Sequence, residues 1–165
     1  MLEIQRVHDV PLQLDIATLK YLTFNGISFH RCLLNNLDFS CSKLINIDFR
    51  SAEMNGSKFE SATFYDSKLI MVEVENSNFD RCNFEKSLLL HSNFKDSSFK
   101  CADLSECVLN NTSFVNCDLR GTKMLCIGLE SCIFAGTIYD NSTLWNKNFN
   151  PEDYGAIMRG SEKWM

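Results

Sequence analysis

All thirteen phenylalanines of this 165-residue chain fall in a single five-residue register. Chance would put about one Phe in five there, so the register predicts a repeat architecture. From Leu19 to Phe149 every fifth residue is Phe, Leu, Met, Val or Tyr. The phenylalanines are Phe24, Phe29, Phe39, Phe49, Phe59, Phe64, Phe79, Phe84, Phe94, Phe99, Phe114, Phe134 and Phe149.

A second column of small residues lies two positions before each large one. Of its 27 members, 21 are Ala, Ser, Cys, Thr or Val. Side chains two apart share one side of an extended segment, and the remaining residues of each unit must then turn a corner. Four such sides close a coil of about 20 residues, and successive coils stack about 4.8 Å apart. The large residues fill the interior, and corner pairs such as Asn25-Gly26 and Asn55-Gly56 fit turns.

The ends of the chain depart from the period. Residues 1–16 are predicted to form an extended or irregular N-terminal cap, followed by a repeat domain over residues 17–149. Residues 150–165 are predicted to form a capping α-helix, because Asn150 is suited to the N-cap and Pro151 to the first helical position. Its apolar stripe would cover the last coil or form a homodimer contact through Tyr154, Ile157, Met158 and Trp164.

The repeat unit resembles that of the pentapeptide-repeat family. Residues 101–105, Cys-Ala-Asp-Leu-Ser, and residues 116–121, Asn-Cys-Asp-Leu-Arg-Gly, match its A(D/N)Lxx pattern. The resemblance implies an all-β protein, a right-handed quadrilateral β-helix of about 6–7 coils. Residues 145–156 also resemble the tail of cyanobacterial members of the family.

Composition and motifs argue against an enzyme, a cofactor site, a metal site or a membrane segment. The chain has no apolar run of 18 residues and no Cys-x-x-Cys pair. His30 and His91 would lie about 14 Å apart on one side, too far to cooperate. Five of the eight cysteines occupy the small column, where Cys acts as a small apolar residue.

The spacing of the cysteines does not predict disulfides. Cys82/Cys101 and Cys107/Cys126 are each 19 residues apart, which would bring their Cα atoms within range. The first member of each pair is predicted to point inward and the second outward, so the side chains diverge. We therefore expect reduced thiols and a cytoplasmic protein, and the resemblance implies a bacterial one.

The outward positions predict one apolar patch for protein binding. Residues 20 apart should stack in columns, which places several apolar residues together on adjacent coils. A cluster of Glu53, Glu73 and Glu75 is interpreted as solvated charge. The predicted patch consists of Ile70, Met71, Leu88, Leu90 and Val108.

Two functions are compatible with these features. The first is a non-enzymatic module that binds another protein of unknown identity through the patch. The alternative, implied by the resemblance, is a rod that mimics duplex DNA and protects gyrase. Residues 19–149 hold 15 acidic and 13 basic residues, a weak imbalance that disfavours the mimic. Direct nucleic-acid binding is not expected from a chain of net charge −5.

Overall fold

A computed structural model of the chain describes residues 2–160 and shows a stack of four-sided coils. Backbone bridges join each outward residue to the one 20 positions further on, in four parallel ladders. We number the four sides by their ladders. Face 1 carries Thr23 to Leu144, face 2 Ser28 to Ile127, face 3 Leu33 to Ile133, and face 4 Asp38 to Ile157.

Most sides pair through a single residue, so regular strands are short. None of the helices within residues 2–160 is long and apolar enough to cross a membrane. The strands are β1 (Leu2–Arg6), β2 (Asp9–Leu14), β3 (Thr23–Asn25), β4 (Lys43–Ile45), β5 (Lys123–Met124), β6 (Ile138–Tyr139), β7 (Leu144–Trp145) and β8 (Ile157–Met158). Two 3-10 helices occupy Leu129–Ser131 and Pro151–Tyr154.

The corners are made by left-handed backbone at every fifth residue. From Tyr21 to Gly121 each residue at this position has a positive φ, whatever its side chain. Most corners are closed by a turn hydrogen bond, such as that from Cys32 N to Phe29 O at 3.0 Å. Because the left-handed region is unfavourable for most residues, the hydrogen bonds between coils must hold the corners in place.

Stacked aromatic rings fill the interior. The Phe59 and Phe79 centroids are 5.0 Å apart, those of Phe79 and Phe99 4.9 Å, and both pairs of rings are nearly parallel. Beside the rings, the hydroxyls of the small column donate to carbonyls of the preceding coil. Ser57 Oγ, for example, donates to Leu34 O at 2.7 Å. These small residues are therefore selected for their hydrogen bond as well as their volume.

A β-hairpin covers the first coil. β1 and β2 pair antiparallel, and β1 also pairs with the first side of face 3. Leu33 N donates to Gln5 O at 2.7 Å, and Val7 N donates to Arg31 O at 2.9 Å. The segment predicted as extended or irregular thus has regular structure, because its backbone pairs with the edge that the first coil would expose.

The prediction of an α-helix over residues 150–165 is wrong for the part that the structure describes. A single 3-10 turn, Pro151–Tyr154, ends at Gly155, whose φ is +87°. The chain then forms β8, which pairs parallel with β6, and Ile157 N donates to Thr137 O at 2.7 Å. The backbone groups of residues 157–158 form hydrogen bonds with the open edge of β6. In a longer helix, the same groups would have bonded within the helix. Trp164 lies outside the described residues.

The five-residue frame is interrupted near the C-terminal end. Val108 bridges Ile127, 19 positions on, and the left-handed corner is absent at Cys126 and Ser131. Cys126 is buried in the small interior position, so the expectation that it points outward is wrong. A second displacement pairs Lys123 with Leu144, 21 positions on, and leaves Leu144 47% exposed.

Candidate protein-interaction surface

Three apolar residues follow one another in the ladder of face 2. Leu88 bridges Val108, and Val108 bridges Ile127. The main-chain spacing is tight, with Leu89 N donating to Val108 O and Leu109 N donating to Ile127 O, both at 2.9 Å. Leu88 and Val108 are half-buried, whereas Ile127 is 62% exposed. Their side chains therefore form a continuous apolar column.

Ile70, Leu90 and Met71 lie beside this column. Ile70 and Leu90 are half-buried on adjacent coils of the same face, and Met71, at the corner, is 59% exposed. Met71 N donates to Leu90 O at 2.9 Å, which fixes the corner against the next coil. The five residues predicted from the sequence thus lie on one face and on neighbouring coils. With Ile127 they form what we call the apolar surface.

Ile127 was missed because the regular frame assigns it to the small interior column. The five residues from Met124 to Gly128 contain two candidates for that position, Cys126 and Ile127. Cys126 is the smaller, and it is the one that the structure buries. A comparison of side-chain volumes at this unit would have favoured Cys126, since the column otherwise holds mostly small residues.

Apolar residues on the other faces are more scattered. Within residues 2–160, face 2 is the only one whose ladder has three apolar residues in succession. Face 3 places Leu33 and Ile133 at opposite ends of its ladder, with polar residues between them. Scattered apolar side chains are normal on protein surfaces, whereas contiguous ones mark contact sites.

Charge is distributed unevenly around the coil. Face 4 carries four ion pairs, including Arg81–Glu60 at 2.8 Å and Arg120–Asp118 at 2.7 Å. Face 3 holds the acidic cluster, and there Asn93 Nδ2 donates to Glu73 Oε2 at 3.0 Å. The cluster is thus partly satisfied by amide donors from its own face.

One ion pair precedes the apolar surface on face 2. Arg50 Nε and Nη2 donate to the two carboxylate oxygens of Asp48 at 2.9 and 2.7 Å. The Arg50 guanidinium lowers the pKa of Asp48 below its ordinary value, mainly through this hydrogen bond. The charge of Asp48 is therefore compensated within its own face.

The residues predicted for a C-terminal cap or dimer contact separate into two groups. The ring of Tyr154 stacks on Phe149 at 4.7 Å and so covers the end of the aromatic interior. Ile157 and Met158 are exposed in β8. Tyr154 is therefore a packing residue, and the two residues of β8 are available for contact.

The described residues offer little material for catalysis or metal binding. Among residues 2–160, no group of three or more His, Cys, Asp or Glu side chains could hold a metal ion. All eight cysteines are free, and only Cys41 and Cys101 are exposed. Burial raises the pKa of Cys107 and Cys117 to about 12, which suppresses the thiolate form needed for reactivity.

Comparison with known proteins places these observations in context. A family model described as pentapeptide repeats matches residues 42–84, 77–114, 87–124 and 97–136, which together span more than half of the chain. No curated protein matches the sequence.

Solved structures agree on the fold. A pentapeptide repeat protein from Nostoc Pcc 7120 is similar with a TM-score of 0.59 and 19% identity, over 62% of this chain and 84% of that one. A trypsin-treated variant of QnrB1, a plasmid-mediated fluoroquinolone resistance protein, is similar with a TM-score of 0.52 and 13% identity, over 87% of this chain and 91% of that one.

Proposed function

The chain belongs to the pentapeptide-repeat family, and on that premise we propose that it is a non-enzymatic module that binds another protein through the apolar surface. The observation that carries the proposal is the unbroken column of Leu88, Val108 and Ile127 on face 2. The proposal takes the coil to be right-handed with about 6–7 turns, as in the family, and the protein to act in the cytoplasm.

The physical basis is the cost of leaving this column in water. Apolar surface gains about 25 cal/mol for each Å² that a partner removes from solvent. The main chain beneath the column is fixed by hydrogen bonds between coils, so binding requires little ordering of the backbone. A flat, rigid face of this kind suits a partner that is itself preformed or that becomes ordered on binding.

The test replaces Leu90 with Glu and compares recovery of proteins from the source cells. Leu90→Glu should abolish capture of the specific partner, because burying its carboxylate against an apolar partner is unfavourable by more than about 2 kcal/mol. The matched control is Val115→Glu, which makes the same kind of change at the same position of the unit on face 3.

Both variants should unfold in urea at the midpoint of the wild type within error, since both side chains point outward. A partner retained by Val115→Glu and lost with Leu90→Glu supports the proposal. If Leu90→Glu recovers the same proteins as the wild type, the apolar surface is not the binding site.

Gyrase protection by DNA mimicry has weaker support. Uncompensated carboxylates are concentrated on face 3, around Glu53, Glu73 and Glu75, whereas a mimic of duplex DNA needs negative charge along its length. The charges of face 4 are neutralised in pairs. A gyrase supercoiling assay with and without a fluoroquinolone separates the two functions. Only a DNA mimic would change supercoiling by gyrase or its inhibition by the drug.

A further inference from the structure

Two cations lie toward one end of the apolar surface. Lys68 precedes Leu88 in the ladder of face 2, about 4.8 Å below it. Arg31 occupies the corner column of Met71, two coils earlier and about 10 Å away along the stack. Both side chains are exposed. Within residues 2–160 neither forms an ion pair, since the one carboxylate beside them on the ladder, Asp48, is bound by Arg50.

This arrangement differs from that of face 4. Within residues 2–160, face 4 carries five cations. Four of them form ion pairs with carboxylates of the same face, and the fifth, Lys58, does not. Beyond Ile127, at the other end of the apolar surface, charges of both signs are exposed: the carboxylate of Glu130 and the ammonium of Lys147, whose neighbour Asn146 donates from Nδ2 to Cys126 O at 2.7 Å. Face 2 therefore has cations without an opposing carboxylate at one end only, followed by the apolar residues, whereas the other end carries both signs of charge.

We propose that the apolar surface receives a protein segment whose apolar side chains are preceded or followed by carboxylates, with the carboxylates directed toward Lys68 and Arg31. This inference rests on the proposed function and specifies its partner. Apolar side chains of the segment cover the column from Leu88 to Ile127, and its acidic end gains the attraction of two uncompensated cations. Glu73 and Glu75 on face 3 repel an acidic segment from that side, so its acidic end must lie along face 2.

Other occupants fit these features less well. A nucleic acid would match the cations, but its phosphates would leave the apolar residues uncovered. A second copy of the chain would place its acidic face 3 against the cations, yet the middle rungs of that face are polar and offer nothing to the apolar column. A segment that is both acidic and apolar can cover the apolar column and also pair with the two cations.

The experiment selects peptides from a phage-displayed library of random 12-residue sequences on the wild-type protein. Recovered peptides are then synthesised, and their affinities are measured by fluorescence anisotropy for the wild type, Leu90→Glu and the double variant Arg31→Glu/Lys68→Glu. The matched control for the double variant is Lys58→Glu/Lys100→Glu, which reverses two charges on face 4. Sedimentation velocity of the wild type and Leu90→Glu at two concentrations accompanies the selection.

We expect peptides that combine Leu, Ile, Phe or Trp with an excess of Asp and Glu. Their binding should be lost in Leu90→Glu and weakened about tenfold in Arg31→Glu/Lys68→Glu, with little change in the face 4 control. The weakening should shrink as salt rises toward about 1 M, where charges are screened within about 3 Å.

Three results overturn the inference in distinguishable ways. Peptides that depend on Leu90 but carry no acidic excess and ignore the charge reversal leave the proposed function standing and remove the acidic partner. Self-association that Leu90→Glu abolishes shows that a second copy covers the surface. A library that yields no Leu90-dependent peptide, from a protein that also shows no Leu90-dependent self-association, rejects both the inference and the proposed function.

Discussion

At the scale of single residues, the interior is determined by the alternation of one large and one small side chain. Each large residue stacks on its counterpart 20 positions away, as Phe64 does on Phe84 at 4.6 Å. Each small residue must fit a restricted volume, and most of the Ser, Thr and Cys members also donate a hydrogen bond. Cys82 does so from its thiol to a carbonyl 23 positions back, as Ser57 does from its hydroxyl. Because both requirements limit the size and polarity of the residue itself, they are visible in the sequence.

Truncation of one stacked ring tests this packing. Phe79→Ala should lower the free energy of unfolding by about 3–5 kcal/mol, because the neighbouring rings are held by their own coils and cannot fill the cavity. Urea denaturation followed by circular dichroism measures the change.

The control is Lys100→Ala, which removes an outward side chain from a partly exposed ion pair with Asp80 at 3.6 Å. It should cost less than about 1 kcal/mol. Equal losses in the two variants would contradict the assignment of inward and outward positions.

At the scale of elements, coils follow the frame until their hydrogen bonds favour another arrangement. The corner at 126 is lost, and the chain closes the coil with 19 residues instead of 20. The 3-10 helix Leu129–Ser131 then returns the chain to the frame, so that Ser113 pairs with Ile133. Gly128 permits the change, since its φ of +89° lies in the region that other residues avoid.

This interruption reverses the expected roles of two neighbouring residues. Cys126→Asp should lower the free energy of unfolding by more than about 2 kcal/mol, because it buries a carboxylate without a partner. Ile127→Asp should change it by less than about 0.5 kcal/mol, because the side chain is exposed.

Urea melts of the two variants decide between the frames. An uninterrupted five-residue frame requires the opposite order, with Ile127→Asp the more damaging. Each variant serves as the control for the other, because the same charge is introduced one residue apart.

The two ends show the same competition between local preference and pairing. Leu12 and Leu14 of β2 pack against the core, while the backbone of β1 pairs with the first side of face 3. At the other end, Pro151 starts a helix as its position predicts, but the unpaired edge of β6 draws residues 157–158 into β8. An edge that would otherwise lack hydrogen bonds outweighs a marginal one-turn helix.

At the scale of the whole molecule, the interior is uniform and the faces differ. Face 4 is neutralised by its own ion pairs, face 3 is acidic, and face 2 joins unpaired cations to an apolar surface. Ion pairs of this exposed kind contribute little to stability. The fold itself therefore depends on the interior, and the proposed binding rests on the differences between faces.

Buried cysteine thiols lie along almost the entire length of the interior, so their reactivity tests its burial. At pH 8, Ellman's reagent should modify two thiols rapidly, those of Cys41 and Cys101, since only these are exposed. The others should react more than about a hundredfold more slowly, because burial raises the pKa of Cys117 to about 12 and that of Cys132 to about 11. The slow group is Cys32, Cys82, Cys107, Cys117, Cys126 and Cys132.

Addition of urea provides the control, since all eight thiols should then react at one rate. Rapid reaction of Cys126 in the native protein, identified by mass spectrometry of the labelled peptide, would contradict its burial. The Cys41→Ser/Cys101→Ser variant should show no rapid phase.

The sequence by itself determined the coil, its interior and five of the six residues of the apolar surface. Those features follow from side-chain size and polarity repeated every five residues, a pattern that can be read from each unit independently of the others. The hairpin at the N-terminus, the strand β8 and the exposure of Ile127 were decided by the tertiary structure. They depend on which backbone groups of one coil lie opposite those of the next, and that pairing is a property of the stack rather than of any unit.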